Sequence, residues 1–191
     1  MKDETTDSPE GKGRPRCLFN NRKGASAVEF AIILPILVAM VFGIIDFGRL
    51  FHAKMITTHL AREGASLASR DIQGGAGLLT MLQAGGSPLD LAAKGRIYVW
   101  RIEAGASANQ PNPTINAAKS ANLGSLGAAS SIGTGKPYLG LNEDVYAHLV
   151  FNGDNQTADI AEITVVEVFY EYTPVTPVVM NAQVLSSRAV F

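Results

Sequence analysis

Gly24-Ala25-Ser26-Ala27-Val28-Glu29-Phe30, followed by an apolar run that continues to about Gly48, is the stretch whose reading decides the fold. From Ala25 to Gly48 the run holds 24 residues. As a helix rising ~1.5 Å per residue it is about 36 Å long, enough for the ~30 Å hydrocarbon core of a bilayer. Two acids interrupt it, Glu29 near the start and Asp46 near the end. A carboxylate at the bilayer centre costs roughly 2.5 to 3.5 kcal/mol on insertion scales, but both of these lie close enough to an interface to reach water. Pro35 falls inside the membrane half, where it either kinks the helix or is compensated by neighbours.

Beyond Gly48 the periodicity predicts the same helix continuing as an amphipathic one. Ala53, Ile56, Leu60, Gly64 and Leu67 recur at intervals of three and four, with Lys54, Thr58, Arg62, Ser66 and Ser69 opposite. Gly74 and Gly75 are expected to end it. The domain organisation is then a basic cytoplasmic leader over 1–24, a transmembrane helix over 25–48, an amphipathic continuation over 49–73 and an extracytoplasmic α+β domain over 74–191.

In that last part Arg96 to Glu103, Val145 to Phe151 and Ile160 to Tyr172 read as strands, being β-branched and aromatic and bounded by turn signals. In the third, Thr164, Val166, Val168, Tyr170 and Tyr172 share one face. Ile163, Val165, Glu167, Phe169 and Glu171 form the other, which the glutamates mark as the wetter one. Pro174 and Pro177 break the run, and Val178 to Phe191 forms either a last strand or a packed extended tail. Leu78, Leu79 and Leu82 suggest a short helix, and Ser87-Pro88 opens another turn with Ser87 as its cap. Residues 104–137, rich in Ala, Gly, Ser and Asn, read as a long, flexible, exposed loop.

Residues 1–24 carry six cations and four acids, which leaves ten cations and thirteen acids beyond Gly24. That balance gives the part after Gly24 no electrostatic footprint for nucleic acid. Five cations between Lys12 and Lys23, against Arg49, Lys54 and Arg62 beyond the apolar run, place the amino terminus in the cytoplasm. The one cysteine, Cys17, lies in the leader, so the rest has no disulfide, thiolate metal site or catalytic thiol. The apolar run is too long for a cleaved secretory signal, and the nearest plausible cleavage site, Ser66-Leu67-Ala68, comes only after Arg49, Lys54, Arg62 and Glu63.

A basic tip of Arg22 and Lys23, then Gly24, four small or apolar residues, Glu29, Phe30 and a long apolar helix resembles the processing site of type IVb prepilins and pseudopilins. Phe42-Gly43-Ile44-Ile45-Asp46-Phe47-Gly48-Arg49-Leu50-Phe51, followed by Ala61-Arg62-Glu63-Gly64-Ala65, resembles the hallmark of TadE-like proteins, minor pseudopilins of tight-adherence (Tad) pilus systems. An acid usually occupies the Asp46 position in that family, and the resemblance covers residues 22–70. It implies a pilin-like α+β subunit, its long N-terminal helix packed on a small antiparallel sheet. It implies a cut between Gly24 and Ala25 by a prepilin peptidase, with Glu29 and Phe30 guiding recognition and assembly. The new α-amino group at Ala25 would sit in an apolar bundle, where a neighbouring subunit's carboxylate at ~4 Å attracts it by about 4 kcal/mol at an effective dielectric of ~20, before desolvation. The implied partners are the peptidase, other pseudopilins and the major Flp-type pilin, the inner-membrane assembly platform and the bilayer. The implied location is the bacterial inner membrane, single-pass, with the carboxy-terminal domain outside. The alternative is an unprocessed, signal-anchored envelope protein that scaffolds or binds.

No enzyme constellation stands out, and no cofactor or metal is expected. His52 and His59, seven apart with Glu63 one turn on, lack the spacing of a zinc-protease helix. His148 reads as a surface residue on a strand, and Asn152 to Asp159 as a hairpin turn rather than a calcium loop. Asp46 and Arg49, three apart, either pair on the helix surface or meet a partner helix.

Overall fold

The computed structural model describes residues 22–70, 75–152, 160–177 and 180–191. Residues 1–21 of the expected leader, the helix stop at Gly74 and residues 153–159 of the expected turn lie outside them. The chain packs as two compact units, 1–41 and 42–191. Helix α1, Arg22–Ser69, is continuous through Pro35 and long and apolar enough to cross a membrane. It ends earlier than expected, and Gly75 opens a second helix instead of closing the first.

The larger unit holds α2 (Gly75–Gly85), α3 (Leu91–Lys94), β1 (Gly95–Glu103), β2 (Thr114–Ile115), β3 (Ala121–Gly124), α4 (Glu143–Leu149), β4 (Glu162–Tyr172) and β5 (Gln183–Val190). The sheet is antiparallel throughout, in the order β2-β1-β4-β5, with β3 also paired to β1. The α+β class, with a long N-terminal apolar helix and a small antiparallel sheet, is as the sequence implied. So is the strand expected at 96–103; the one expected at 160–172 starts at Glu162, and the tail forms strand β5 over Gln183–Val190.

Four expectations are corrected. Val145 to Phe151 is largely helix: Asn142 caps α4 by accepting from the Asp144 N–H, and Glu143 and Asp144 sit in the first turn, where acids favour a helix start. This also puts His148 on a helix. Ser87 is not a cap, because Asp90 fills that role for α3 by accepting from the Ala93 N–H. Residues 104–137 are not simply an exposed loop, since β2 and β3 pair with β1 and Ile132 is buried.

The fourth correction concerns the face of β4 taken as wet. It packs against a core of its own, in which Ile163 and Val165 meet Ile102, Ile132, Leu141 and Leu149. Glu167 is buried there because its carboxylate accepts from the Ser131 N–H at 3.2 Å and from the Ser130 and Ser131 hydroxyls. A buried acid with that many donors no longer marks solvent.

The other face of the sheet carries the main core. There Val166 and Val168 of β4 and Ile97 and Val99 of β1 meet Leu78, Leu79 and Leu82 of α2 and Leu60, Ala61, Ala65 and Ala68 of α1. The buried stripe of α1 is centred on small residues, with Ala53, Thr57, Ala61, Ala65 and Ala68 all inside. It lies slightly around the helix from the predicted one. A Cβ added at Gly64 would come within 2.7 Å of a Leu82 methyl and 3.2 Å of a Val166 methyl. Small side chains here let α1 lie close to both α2 and the sheet.

Gly64→Leu should therefore overpack this seam and destabilise the chain by about 1–3 kcal/mol. Thr58→Ala, on the flank of the same helix, should stay within about 0.5 kcal/mol of the parent. Thermal unfolding in detergent, followed by circular dichroism, distinguishes them: equal melting temperatures would mean the close approach at Gly64 is not needed.

Candidate functional site

The helix positions singled out in the sequence fall into two groups, one in each compact unit. In the first, Gly24, Glu29 and Phe30 are exposed on α1, Phe30 by 59 %. A Cβ at Gly24 would meet nothing within 4 Å. Ala25 lies in the same helix.

In the second group, Asp46 is fully buried. Its Oδ1 accepts from the Val175 N–H at 2.8 Å, and its Oδ2 from the Thr176 N–H at 2.9 Å and from the Thr176 hydroxyl. The Tyr172 hydroxyl donates to the Asp46 main-chain carbonyl at 2.9 Å and approaches Oδ1 at 3.5 Å. Burial, and after it the neighbouring Asp46 charge, hold the Tyr172 phenol above its ordinary pKa, so it stays protonated as a donor at neutral pH.

Local sequence explains why those donors are available. Tyr172 is the last residue of β4, and Thr173-Pro174-Val175-Thr176-Pro177 follows. Prolines 174 and 177 have no N–H and leave the strand, so the Val175 and Thr176 N–H groups between them turn to the helix instead of to β5. Two main-chain donors and a hydroxyl on one carboxylate make charge-assisted bonds, the stronger kind. Sequence reading found Asp46 but not these partners, because they lie 126 to 130 residues away.

Asp46 and Gly64 are 18 residues apart, five turns at ~3.6 residues per turn, and so share one face of α1. The carboxylate clamp and the small-residue seam are therefore two ends of one contact line. Arg49, one turn beyond Asp46, forms no ion pair with it, and neither does any other acid among the described residues pair with Arg49. Instead it lines a cavity of about 360 Å³ with His52, Lys94, Tyr170 and Tyr172. Among the described residues no group of three or more His, Cys, Asp and Glu is placed to hold a metal.

Replacing Asp46 by Ala should leave the Val175 and Thr176 N–H groups without their acceptor. Their protection against hydrogen exchange should fall about tenfold or more, while β1 stays protected. Unchanged protection at 175 and 176 would show that the clamp does not hold that loop.

Residues 24–66 match the family model of TadE-like proteins. No curated protein and no solved structure matches the chain. The matched stretch starts at Gly24 and takes in Glu29, Phe30, Asp46, Arg49 and Gly64, but stops before α2 and the sheet. Over residues 24–66, then, the resemblance holds, and this chain carries a TadE-like segment.

Proposed function

We propose that this protein is a minor pseudopilin of a Tad (Flp-type) pilus. A prepilin peptidase cuts it between Gly24 and Ala25, and it then serves in pilus assembly and surface adhesion. The observation that carries this reading is the coincidence of Gly24, Glu29 and the apolar helix with a TadE-like match that begins at Gly24 itself. The exposure of Gly24 in α1 is consistent with access for a peptidase, and the exposed apolar surface from Val28 to Ile45 suits lipid or neighbouring helices.

In this reading the chain sits in the inner membrane, single-pass, with its amino terminus in the cytoplasm and the sheet domain outside. Glu29 pairs with the new α-amino group of a neighbouring pilin subunit and sets the register between helices. The role is structural rather than catalytic: the sheet domain presents surfaces to the assembly platform, to other pseudopilins and to the major pilin. Asp46 acts inside the subunit, holding the loop after β4 against α1.

Intact mass and N-terminal sequencing of the protein recovered from membranes of its native host test the processing. A chain that starts at Ala25 is the expected result. One that still carries Cys17 and the leader overturns the pseudopilin reading and leaves a signal-anchored scaffolding or binding protein. Glu29→Ala should leave cleavage intact and reduce surface pili about tenfold or more if its pairing is worth even a third of the ~4 kcal/mol Coulomb term. Normal piliation by this variant would remove Glu29 from assembly.

A further inference from the structure

The cavity bounded by α1, α3 and the end of β4 is not used by the proposed function, and its chemistry is one-sided. Arg49 and His52, three apart on α1, line it together with Lys94, the last residue of α3. No Asp or Glu is among the lining residues. Arg49 and His52 make no hydrogen bond or ion pair among the described residues, and Lys94 Nζ donates to a neutral group, the Thr173 hydroxyl, at 3.2 Å. The nearby acid, Asp90, lies outside the lining: it caps α3 by accepting from the Ala93 N–H, and its charge reaches the Tyr170 wall. The walls are amphipathic: Leu89 and the rings of Tyr170 and Tyr172.

We propose that this cavity binds a phosphate-bearing anion, and that in a bilayer the occupant is the phosphodiester headgroup of an acidic phospholipid. The Arg49 guanidinium and the Lys94 ammonium, of which only Lys94 has a hydrogen-bond partner among the described residues, converge with the His52 imidazole on a space of about 360 Å³, so an anion is what lowers the repulsion between the two cations. Phosphate oxygens suit a planar guanidinium bidentately and an ammonium as a point charge. The position fits a headgroup as well. Gly48 ends the apolar run and lines the cavity, so the site starts where the hydrocarbon ends. Apolar and tyrosine walls beside cations are what the boundary between acyl chains and headgroups favours. The choice of a lipid as the source rests on the membrane-anchor reading; the convergence of cations does not.

The test uses the full chain in nanodiscs of phosphatidylcholine with a minor share of phosphatidylglycerol, read by native mass spectrometry of the lipids retained on release. The parent should retain phosphatidylglycerol over phosphatidylcholine, and Arg49→Gln with Lys94→Gln should weaken that retention about tenfold or more. Arg62→Gln, outside the cavity lining, should retain it as the parent does. Inorganic phosphate titrated into the chain in neutral detergent, followed by phosphorus NMR, separates the sources. Binding there that the double variant loses, without lipid preference in the discs, keeps the site and assigns it a soluble phosphate. Failure of the chain to enter discs counts against the membrane anchor alone, and the phosphate titration then decides the site. Equal retention of both lipids with no phosphate binding, or a double variant indistinguishable from a folded parent, overturns the proposal.

Discussion

A carboxylate can be buried on a helix only if donors meet it, and that requirement joins the beginning of the chain's larger unit to its end. Asp46 precedes the sheet by about fifty residues in sequence, yet its oxygens are satisfied by the loop that leaves β4. The loop in turn is shaped by two prolines that cannot extend the strand. Removing either partner leaves the other in an unfavourable state: a buried charge on one side, unmatched N–H groups on the other. The interaction thus fixes position as much as it adds stability.

The rest of the contact between α1 and the domain follows from that fixed point. Five turns on, Gly64 meets Leu82 and Val166, and between the two lie Ala53, Thr57 and Ala61, all buried. If the helix slid by one turn, ~5.4 Å, the carboxylate would leave its donors and a larger side chain such as Leu60 would face the site Gly64 now fills. A seam of small residues alone would tolerate several registers, because small apolar side chains are nearly interchangeable. The polar clamp selects one of them.

Those same features explain what could be read in the sequence. The helix, the strands at 96–103 and 160–172 and the alternate faces of β4 show in periodicity, because each is set by residues close in the chain. Asp46 could be singled out by its oddity in an apolar run, but its donors could not be found, since nothing local links residue 46 to residues 175 and 176. Glu167 misled for the opposite reason. An acid in an alternating strand is ordinarily a mark of solvent, and only the distant Ser130 and Ser131 reverse it. In α4 a local signal was present, Asn142 followed by Glu143 and Asp144, but the β-branched and aromatic residues after it, Val145 and Tyr146, masked it. Both in fact pack on the second core from a helix.

The limits of the family match have a physical counterpart. It ends at residue 66, although the residues it contains work against α2, β4 and the loop after β4. On the helix side the demands are specific: an acid at one position, small residues at others, and a fixed spacing of five turns between Asp46 and Gly64. On the domain side they are loose. Two of the donors to Asp46 are main-chain N–H groups, which any residue but proline supplies, and the seam needs only apolar atoms at the right distance. The helix thus enters these contacts through the identity of its side chains, the carboxylate of Asp46 and the bare Cα of Gly64, and the loop largely through its main chain. A motif confined to one helix can therefore specify how a domain is held while leaving the sequence of that domain largely free.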